Sequence, residues 1–189
     1  MVFEYLTVLI SVVVGLSLAS FLTNIVRIVH VRGEVKISWV QLMWAATILI
    51  WTIDFWWFTF VFTDETQWSI GLFGFVLAYS VFLFLLMALL FPEGVPPNHD
   101  YRTQFMRNRQ WFFSVLLAFL FYDLGDYFIK LEKGIEIVAN WTYIAFIVPL
   151  IVLSFVALFT QKLWFHRVFA IYGVLVLVAM TVLTMQPLG

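Results

Sequence analysis

Residues 68–91 read WSIGLFGFVLAYSVFLFLLMALLF, a run that contains no charged side chain and no histidine. A helix needs about 20 mostly apolar residues to cross the roughly 30 Å hydrocarbon core of a bilayer. The run therefore predicts a transmembrane helix, and five further segments have a similar length and character. These five are Phe3–Val29, Ile37–Phe62, Trp111–Ile129, Trp141–Phe159 and Trp164–Met185. Most of the six segments begin at or near a tryptophan, as expected for side chains at the membrane–water interface.

The composition extends this prediction to the whole chain. Of its 189 residues, 64% are hydrophobic and 11% are charged, whereas a soluble domain is about half apolar and about a quarter charged. We therefore expect an all-α membrane protein with six transmembrane helices, which form a single domain over residues 1–189 with no soluble domain. The lack of cysteine excludes disulfides, thiolate metal sites and iron–sulfur clusters. The net charge of -1 gives no general attraction to nucleic acid.

The basic residues are distributed unevenly between the two sides of the predicted bundle. Eight of the ten lie in or at the edges of the first, third and fifth connections, and lysine and arginine concentrate on the cytoplasmic side of membrane proteins. We therefore expect these connections to be cytoplasmic and both termini to face outside. The eight are Arg27, Arg32, Lys36, Arg102, Arg107, Arg109, Lys162 and Arg167.

The third connection is the long one, and we predict it to be a cytoplasmic loop over residues 92–110. Its first residues are rich in proline and glycine, which disfavours helix there. Arg102, Arg107 and Arg109 are candidate contacts for anionic lipid headgroups. A docking site for a cytoplasmic partner protein is the alternative interpretation of the same residues.

Four carboxylates lie within or at the edge of the predicted spans, in the same half of the bilayer. They are Glu4, Asp54, Asp123 and Asp126. At a helical rise of about 1.5 Å per residue, Asp123 and Asp126 lie about 21 and 25 Å beyond Arg109. Asp54 lies about 27 Å beyond Lys36 on the same scale. Because ionisable groups inside hydrocarbon are costly, such residues are by default candidates for a functional site.

The sequence is compatible with several states of these acids in the membrane. No lysine, arginine or histidine within the spans is placed to neutralise them, and Lys130, four residues after Asp126, is expected outside its span. Crowded carboxyl groups at low dielectric can stay protonated, share a hard cation that prefers oxygen ligands, or be hydrated in a water-filled vestibule. Glu4 and Asp126 also have a structural interpretation, because Glu4 suits the positive end of a helix dipole and Asp126 lies near the interface.

Several classes of membrane protein are excluded by what the spans lack. No histidine lies in the interior of a span, so haem held between transmembrane histidines is not expected; His30, His99 and His166 lie at the predicted cytoplasmic border. The chain has no nucleotide-binding loop or hydrolase motif, no arginine ladder and no potassium selectivity filter. We expect no cofactor and no metal site. The sixth span is almost free of charge and is predicted to face lipid or another subunit.

Three short stretches carry a resemblance to known sequences: FEYLTVLIS at 3–11, DFWW at 54–57 and RNRQWFF at 107–113. With them, the first four spans resemble a family of small bacterial integral-membrane proteins of unassigned activity. The resemblance implies a bacterial inner membrane and brings no functional residues with it. The chain is similar in size to small six-span prokaryotic potassium channels, but it lacks their Arg-x-x-x-Phe-Ser-Asp signature in the first span.

The leading functional prediction is a channel or transporter for a proton or small cation, with an outer acidic vestibule formed by Asp54, Asp123 and Asp126. We expect a homo-oligomer, because six slim helices leave little room for a sealed pathway within one subunit. Two other classes stay open. One is a non-catalytic scaffold, sensor or accessory subunit of a membrane complex, and the other is a membrane enzyme that handles lipid or quinone.

Overall fold

A computed structural model describes residues 2–62, 69–91, 99–132, 134 and 140–184. Over these residues the chain forms six α-helices: α1 (Val2–His30), α2 (Trp39–Phe58), α3 (Ile70–Leu90), α4 (Tyr101–Glu132), α5 (Asn140–Phe159) and α6 (Leu163–Thr184). A short 3-10 helix, Thr59–Phe62, follows α2. Each of the six helices is long and apolar enough to cross a membrane. The prediction of an all-α fold with six helices of membrane-spanning length and character is confirmed for the described residues.

The start of α4 differs from the prediction. The loop predicted over 92–110 is shorter, because α4 already begins at Tyr101. The Asp100 side chain explains the early start. Its Oδ1 atom accepts hydrogen bonds from the backbone N–H groups of Arg102 and Thr103, at 2.9 and 3.1 Å. The first turn of a helix leaves such N–H groups without intrahelical partners, and a capping side chain satisfies them.

The residues just before α4 also pair with the connection between α1 and α2. The Lys36 N–H donates to the His99 carbonyl at 2.9 Å, and the Tyr101 N–H donates to the Lys36 carbonyl at 3.1 Å. His99 Nε2 lies 2.9 Å from Gln104 Oε1. The start of α4 is therefore both capped and anchored to a neighbouring segment. Residues 92–98 of the predicted loop lie outside the described residues.

Replacing Asp100 with alanine is expected to lower the free energy of unfolding by about 1 kcal/mol at neutral pH, the usual cost of losing an N-cap. The hydrogen bonds from Thr103 and Arg102 hold the pKa of the Asp100 carboxyl below its ordinary value of 3.8. The charge-dependent part of this stabilisation is therefore complete above about pH 5 and is lost as the pH falls through the folded-state pKa. Chemical unfolding in detergent, followed by circular dichroism at neutral and acid pH, measures both effects.

Asp100→Asn is the matched control for this prediction, because an amide oxygen still caps the helix but carries no charge. Relative to this variant, the wild-type protein should lose stability as the pH falls below about 4. If the wild type and Asp100→Asn respond alike to acid, the ionised carboxylate does not stabilise the start of α4.

Within the bundle, α2 is the helix with the most neighbours. It packs against α1, α3, α4 and α6, while α4 packs mainly against α3 and α5. α1 packs mainly against α3 and α2, and more than half of its described apolar side chains are exposed on the helix surface. Trp141 and Trp164, in the first turns of α5 and α6, are also exposed. Such a surface suits helices that are surrounded by lipid tails and anchored at the interface by tryptophan.

The core contains a layer of aromatic side chains around Trp44 of α2. Trp44 is 1% exposed and meets the rings of Phe112, Phe113 and Phe169 edge-to-face. The centroid distances are 5.4, 5.7 and 5.0 Å. Gly173 of α6 permits this packing, because a Cβ atom there would lie 3.3 Å from the Trp44 ring. This face of α6 packs against α2, while Val168, Leu175 and Val182 of α6 are exposed; contact of the exposed face with lipid or another subunit stays a prediction.

Candidate functional site

A cavity of about 150 Å³ lies where α2, α4 and α6 end and α5 begins. It is partly open to the outside of the bundle. Aromatic and aliphatic side chains from these helices make up most of its wall, among them Trp51, Phe55, Phe58, Phe146, Ile147 and Leu150. Its charged groups are Asp54, Asp123, Asp126 and Lys130. The structure therefore brings three of the four acids singled out in the sequence around one space.

Asp123 joins α4 to α3 and α5 through two tyrosine hydroxyl groups. Tyr79 of α3 donates a hydrogen bond to Asp123 Oδ1, and Tyr143 of α5 donates to Oδ2 at 2.7 Å. Trp51 of α2 in turn donates its indole N–H to the Tyr79 hydroxyl at 3.1 Å. Both carboxylate oxygens are thus occupied by donors from neighbouring helices. A polar group in hydrocarbon is costly unless it is hydrogen-bonded, and this network satisfies Asp123 while connecting α2 to α5.

Asp54 of α2 faces α6 and accepts one hydrogen bond, whereas Asp123 accepts two. The Thr181 hydroxyl lies 2.6 Å from Asp54 Oδ2 and 2.9 Å from the carbonyl of Leu177 in its own helix. Among the residues that the structure describes, no cationic side chain contacts Asp54, and its Oδ1 accepts no hydrogen bond. Asp54 therefore combines an oxygen atom without a hydrogen bond with the lack of a cationic partner among the described residues, and Asp126, which is paired with Lys130, does not.

Asp126 forms an ion pair with Lys130, one helical turn further along α4. Asp126 Oδ2 and Lys130 Nζ lie 2.5 Å apart, and both side chains are 14% exposed. This corrects the interpretation that no cation neutralises the acids, because α4 continues to Glu132 and so carries Lys130 on the same helix as Asp126. Residues four apart on a helix are neighbours on one face, so the spacing was a usable signal for this pair.

Stacked aromatic rings form part of the cavity wall. Tyr127 and Tyr143 stack with their centroids 4.1 Å apart and their planes at 7°. Phe55 and Tyr79 stack at 4.6 Å, also at 7°. The faces of aromatic rings carry negative potential and attract cations, while their carbon atoms offer apolar surface. The wall therefore combines two features, apolar contact and affinity for positive charge.

Glu4, the fourth acid, is not among the described residues around the cavity. It lies in the first turn of α1, and its side chain falls outside the described part of the structure. The cavity wall comes from α2 to α6, with no contribution from the described residues of α1. A role for Glu4 in ion or proton binding stays a prediction.

The three predicted cytoplasmic arginines lie near the start of α4, at the opposite end of that helix from the acids. Arg102 and Arg107 are exposed, whereas Arg109 is half-buried and donates a hydrogen bond from Nη1 to the Met106 carbonyl at 2.8 Å. Their contact with anionic lipid or a partner protein stays a prediction. His166, expected at the membrane border, is fully buried at the start of α6.

A single metal ion shared by the acids is not supported by the geometry. Within the described ranges, no group of three histidine, aspartate or glutamate side chains is arranged so that it can hold a metal ion. Asp123 is bound by two tyrosines, Asp126 by a lysine and Asp54 by a threonine. Each carboxyl group therefore has its own surroundings, although all three face the same space.

Sequence reasoning missed the uncharged partners of these acids. Tyr79, Tyr143 and Thr181 each lie on a different helix from the carboxyl group that they contact. Tyrosine and threonine are ordinary residues in membrane spans, and their spacing along the chain gives no sign of which helices pack together. These contacts can be seen only once the arrangement of the helices is known.

Comparisons with models of protein families, with curated proteins and with solved structures give no match for this chain. The resemblance to small bacterial membrane proteins therefore stays a prediction. The function must be inferred from the chemistry of the cavity and from the distribution of charge along the chain.

Proposed function

We propose that this protein is a membrane transporter for a proton or a small cation, and that the cavity is its outer binding site. The charge around the cavity is the observation that carries this proposal. Three carboxyl groups face one ammonium group, that of Lys130. Walls of low dielectric strengthen the attraction between such a group of acids and a cation. Acids are costly inside a membrane and are typically kept where they serve an ion or proton pathway.

The basic residues support an orientation in which both termini face outside. In that orientation α2, α4 and α6 run outward, and the cavity lies in the outer half of the membrane because it surrounds the ends of these helices. A cation from outside would then reach the acids without crossing most of the bilayer. We propose the bacterial inner membrane as the location, in line with the resemblance of the first four spans.

The packing below the cavity supports a transporter rather than a permanently open channel. Trp44 lies ten residues before Asp54 on α2, which corresponds to about 15 Å along the helix. Trp44 and the three phenylalanines around it are at most 1% exposed, so this layer is closely packed. Passage through one subunit would require the helices to rearrange, as in alternating access. A pathway between the subunits of a homo-oligomer is the second arrangement that this packing allows.

A second candidate function is a non-catalytic scaffold or accessory subunit, and the opposite end of α4 favours it. Arg102 and Arg107 are exposed there. Exposed basic side chains at a membrane surface bind anionic headgroups or an acidic surface of a partner protein. In this case the cavity would hold the bundle together or bind a lipid, without transport.

Flux into proteoliposomes distinguishes these two functions. The vesicles contain a pH-sensitive dye or a sodium- or potassium-sensitive dye, and a gradient of the corresponding ion is imposed. The wild-type protein is expected to conduct at least one of these cations. The variant Asp54→Asn/Asp123→Asn/Asp126→Asn should fall to the background of empty vesicles, because it removes the negative charge that attracts the cation.

The matched control for this experiment is Glu34→Gln, which neutralises an exposed acid in the connection between α1 and α2. Its flux should equal that of the wild-type protein. Circular dichroism and gel filtration must show that every variant is folded. Wild-type protein that is folded and inserted in both orientations but conducts none of these cations would contradict transport of protons, sodium and potassium and favour the scaffold.

A further inference from the structure

We infer that the cavity binds an organic cation with one ammonium group and a small apolar body, rather than a bare metal ion. This inference rests on the proposed function and specifies the class of its substrate. It follows from the size of the cavity, the composition of its wall and the unequal surroundings of its three carboxyl groups.

The size of the cavity exceeds what a bare ion requires. Its volume is about 150 Å³, and an engineered cavity of about this size in another protein binds one benzene molecule. A dehydrated sodium or potassium ion needs oxygen atoms on all sides to replace its hydration shell. Most of this wall consists of carbon atoms from aromatic and aliphatic side chains. The space therefore suits a ligand that buries an apolar body of roughly the size of one ring.

The surroundings of the acids leave one of them available to an ammonium group. Both oxygens of Asp123 accept hydrogen bonds from tyrosines, and Asp126 is paired with Lys130. Asp54 has the Thr181 hydroxyl at Oδ2, while its Oδ1 accepts no hydrogen bond from the described residues. Of the three carboxyl groups, Asp54 is the one that has both an oxygen atom without a hydrogen bond and no cationic partner among the described residues, so it can bind the ammonium group of a ligand. An ammonium group bound at Oδ1 would form a charge-assisted hydrogen bond in a site of low dielectric.

Aromatic side chains stand on both sides of Asp54 along α2. Trp51 precedes it by three residues and Phe58 follows it by four, so all three share one face of the helix, and all three line the cavity. An ammonium group held at Asp54 would lie beside these rings, where cation–π attraction adds to the charge pairing. The Tyr127–Tyr143 stack, formed between α4 and α5, also lines the cavity and offers apolar contact to the body of the ligand.

Binding of benzylammonium to the purified protein tests this inference. The probe is titrated into protein in detergent micelles by calorimetry, and the heat of titration into empty micelles is subtracted. Benzyl alcohol has the same ring without the charge, and it should bind at least about tenfold more weakly, the effect of one charge-assisted hydrogen bond. Sodium and potassium chloride, as competitors at equal ionic strength, should not displace the probe.

Two variants assign the binding to the cavity. Asp54→Asn should weaken binding of benzylammonium at least about tenfold and leave binding of benzyl alcohol unchanged. Phe58→Leu keeps an apolar side chain but loses the ring, and it should weaken benzylammonium binding about threefold through the lost cation–π contact. Glu34→Gln, far from the cavity, should bind like the wild type. Thermal unfolding of each variant shows whether a loss of binding reflects a loss of fold.

The outcomes separate this inference from the proposed function. Equal affinity for benzylammonium and benzyl alcohol, or displacement of the probe by sodium or potassium, would overturn the organic-cation site. Proton or metal-ion flux that depends on the three aspartates would in that case still support transport. Conversely, Asp54-dependent binding by a protein that moves neither inorganic cations nor benzylammonium across vesicles would support the site and contradict the transporter.

Discussion

Replacing Trp44 with alanine is expected to lower the free energy of unfolding by about 2–4 kcal/mol. In soluble proteins the truncation of a buried tryptophan to alanine costs about 3–5 kcal/mol. Part of that cost is transfer from water, and this part falls away in a bilayer because lipid tails are as apolar as the side chain. The remaining part is the lost packing, and it is large here because Trp44 contacts three rings and Gly173 from two other helices.

Unfolding in mixed micelles, with increasing sodium dodecyl sulfate and detection by circular dichroism, measures this change. Trp111→Ala is the matched control, because Trp111 is 72% exposed on α4 and its removal leaves no cavity. The control should change the free energy of unfolding by less than about 1 kcal/mol. Equal losses from Trp44→Ala and Trp111→Ala would show that the aromatic layer does not hold α2, α4 and α6 together.

The six helices were predictable because the bilayer itself sets their length. A span must satisfy all its backbone hydrogen bonds internally and cover about 30 Å of hydrocarbon. A long apolar run therefore predicts a helix of about 20 residues. The start of α4 was missed because the prolines and glycine at 92–97 dominated the interpretation of the loop. Asp100, a good N-cap residue three positions before Thr103, was the signal that could have located it.

For the candidate site, the sequence predicted the position of each acid along its own helix, but not the residues that it contacts on other helices. The rise per residue places Asp54, Asp123 and Asp126 at a similar depth, and the structure does place them around one cavity. Which helices lie side by side is a property of the folded bundle, so the contacts from Tyr79, Tyr143 and Thr181 left no trace in the sequence. The pairing of Asp126 with Lys130, in contrast, is local and follows from their spacing.

Replacing Asp123 with alanine is expected to lower the free energy of unfolding by about 1–3 kcal/mol, whereas Asp54→Ala should cost less than about 1 kcal/mol. The two losses differ because removal of Asp123 leaves hydroxyl groups without an acceptor, whereas removal of Asp54 does not. Without Asp123, the hydroxyl groups of Tyr79 and Tyr143 lose the acceptor of their hydrogen bonds. Without Asp54, the Thr181 hydroxyl can still donate to the Leu177 carbonyl. Unfolding in mixed micelles measures both losses under the same conditions.

Asp123→Asn is the isosteric control, and it should stay within about 1 kcal/mol of the wild type, because an amide can accept one hydroxyl hydrogen bond and donate to the other. A double-mutant cycle then isolates the network. Tyr143→Phe should destabilise the wild type but have almost no further effect in the Asp123→Ala background, since the hydroxyl has already lost its partner there. Additive losses would mean that the two side chains stabilise the bundle independently. In that case Asp123 is not the acceptor that connects α4 to α5, and its cost inside the membrane would have to be offset by another contact in the cavity.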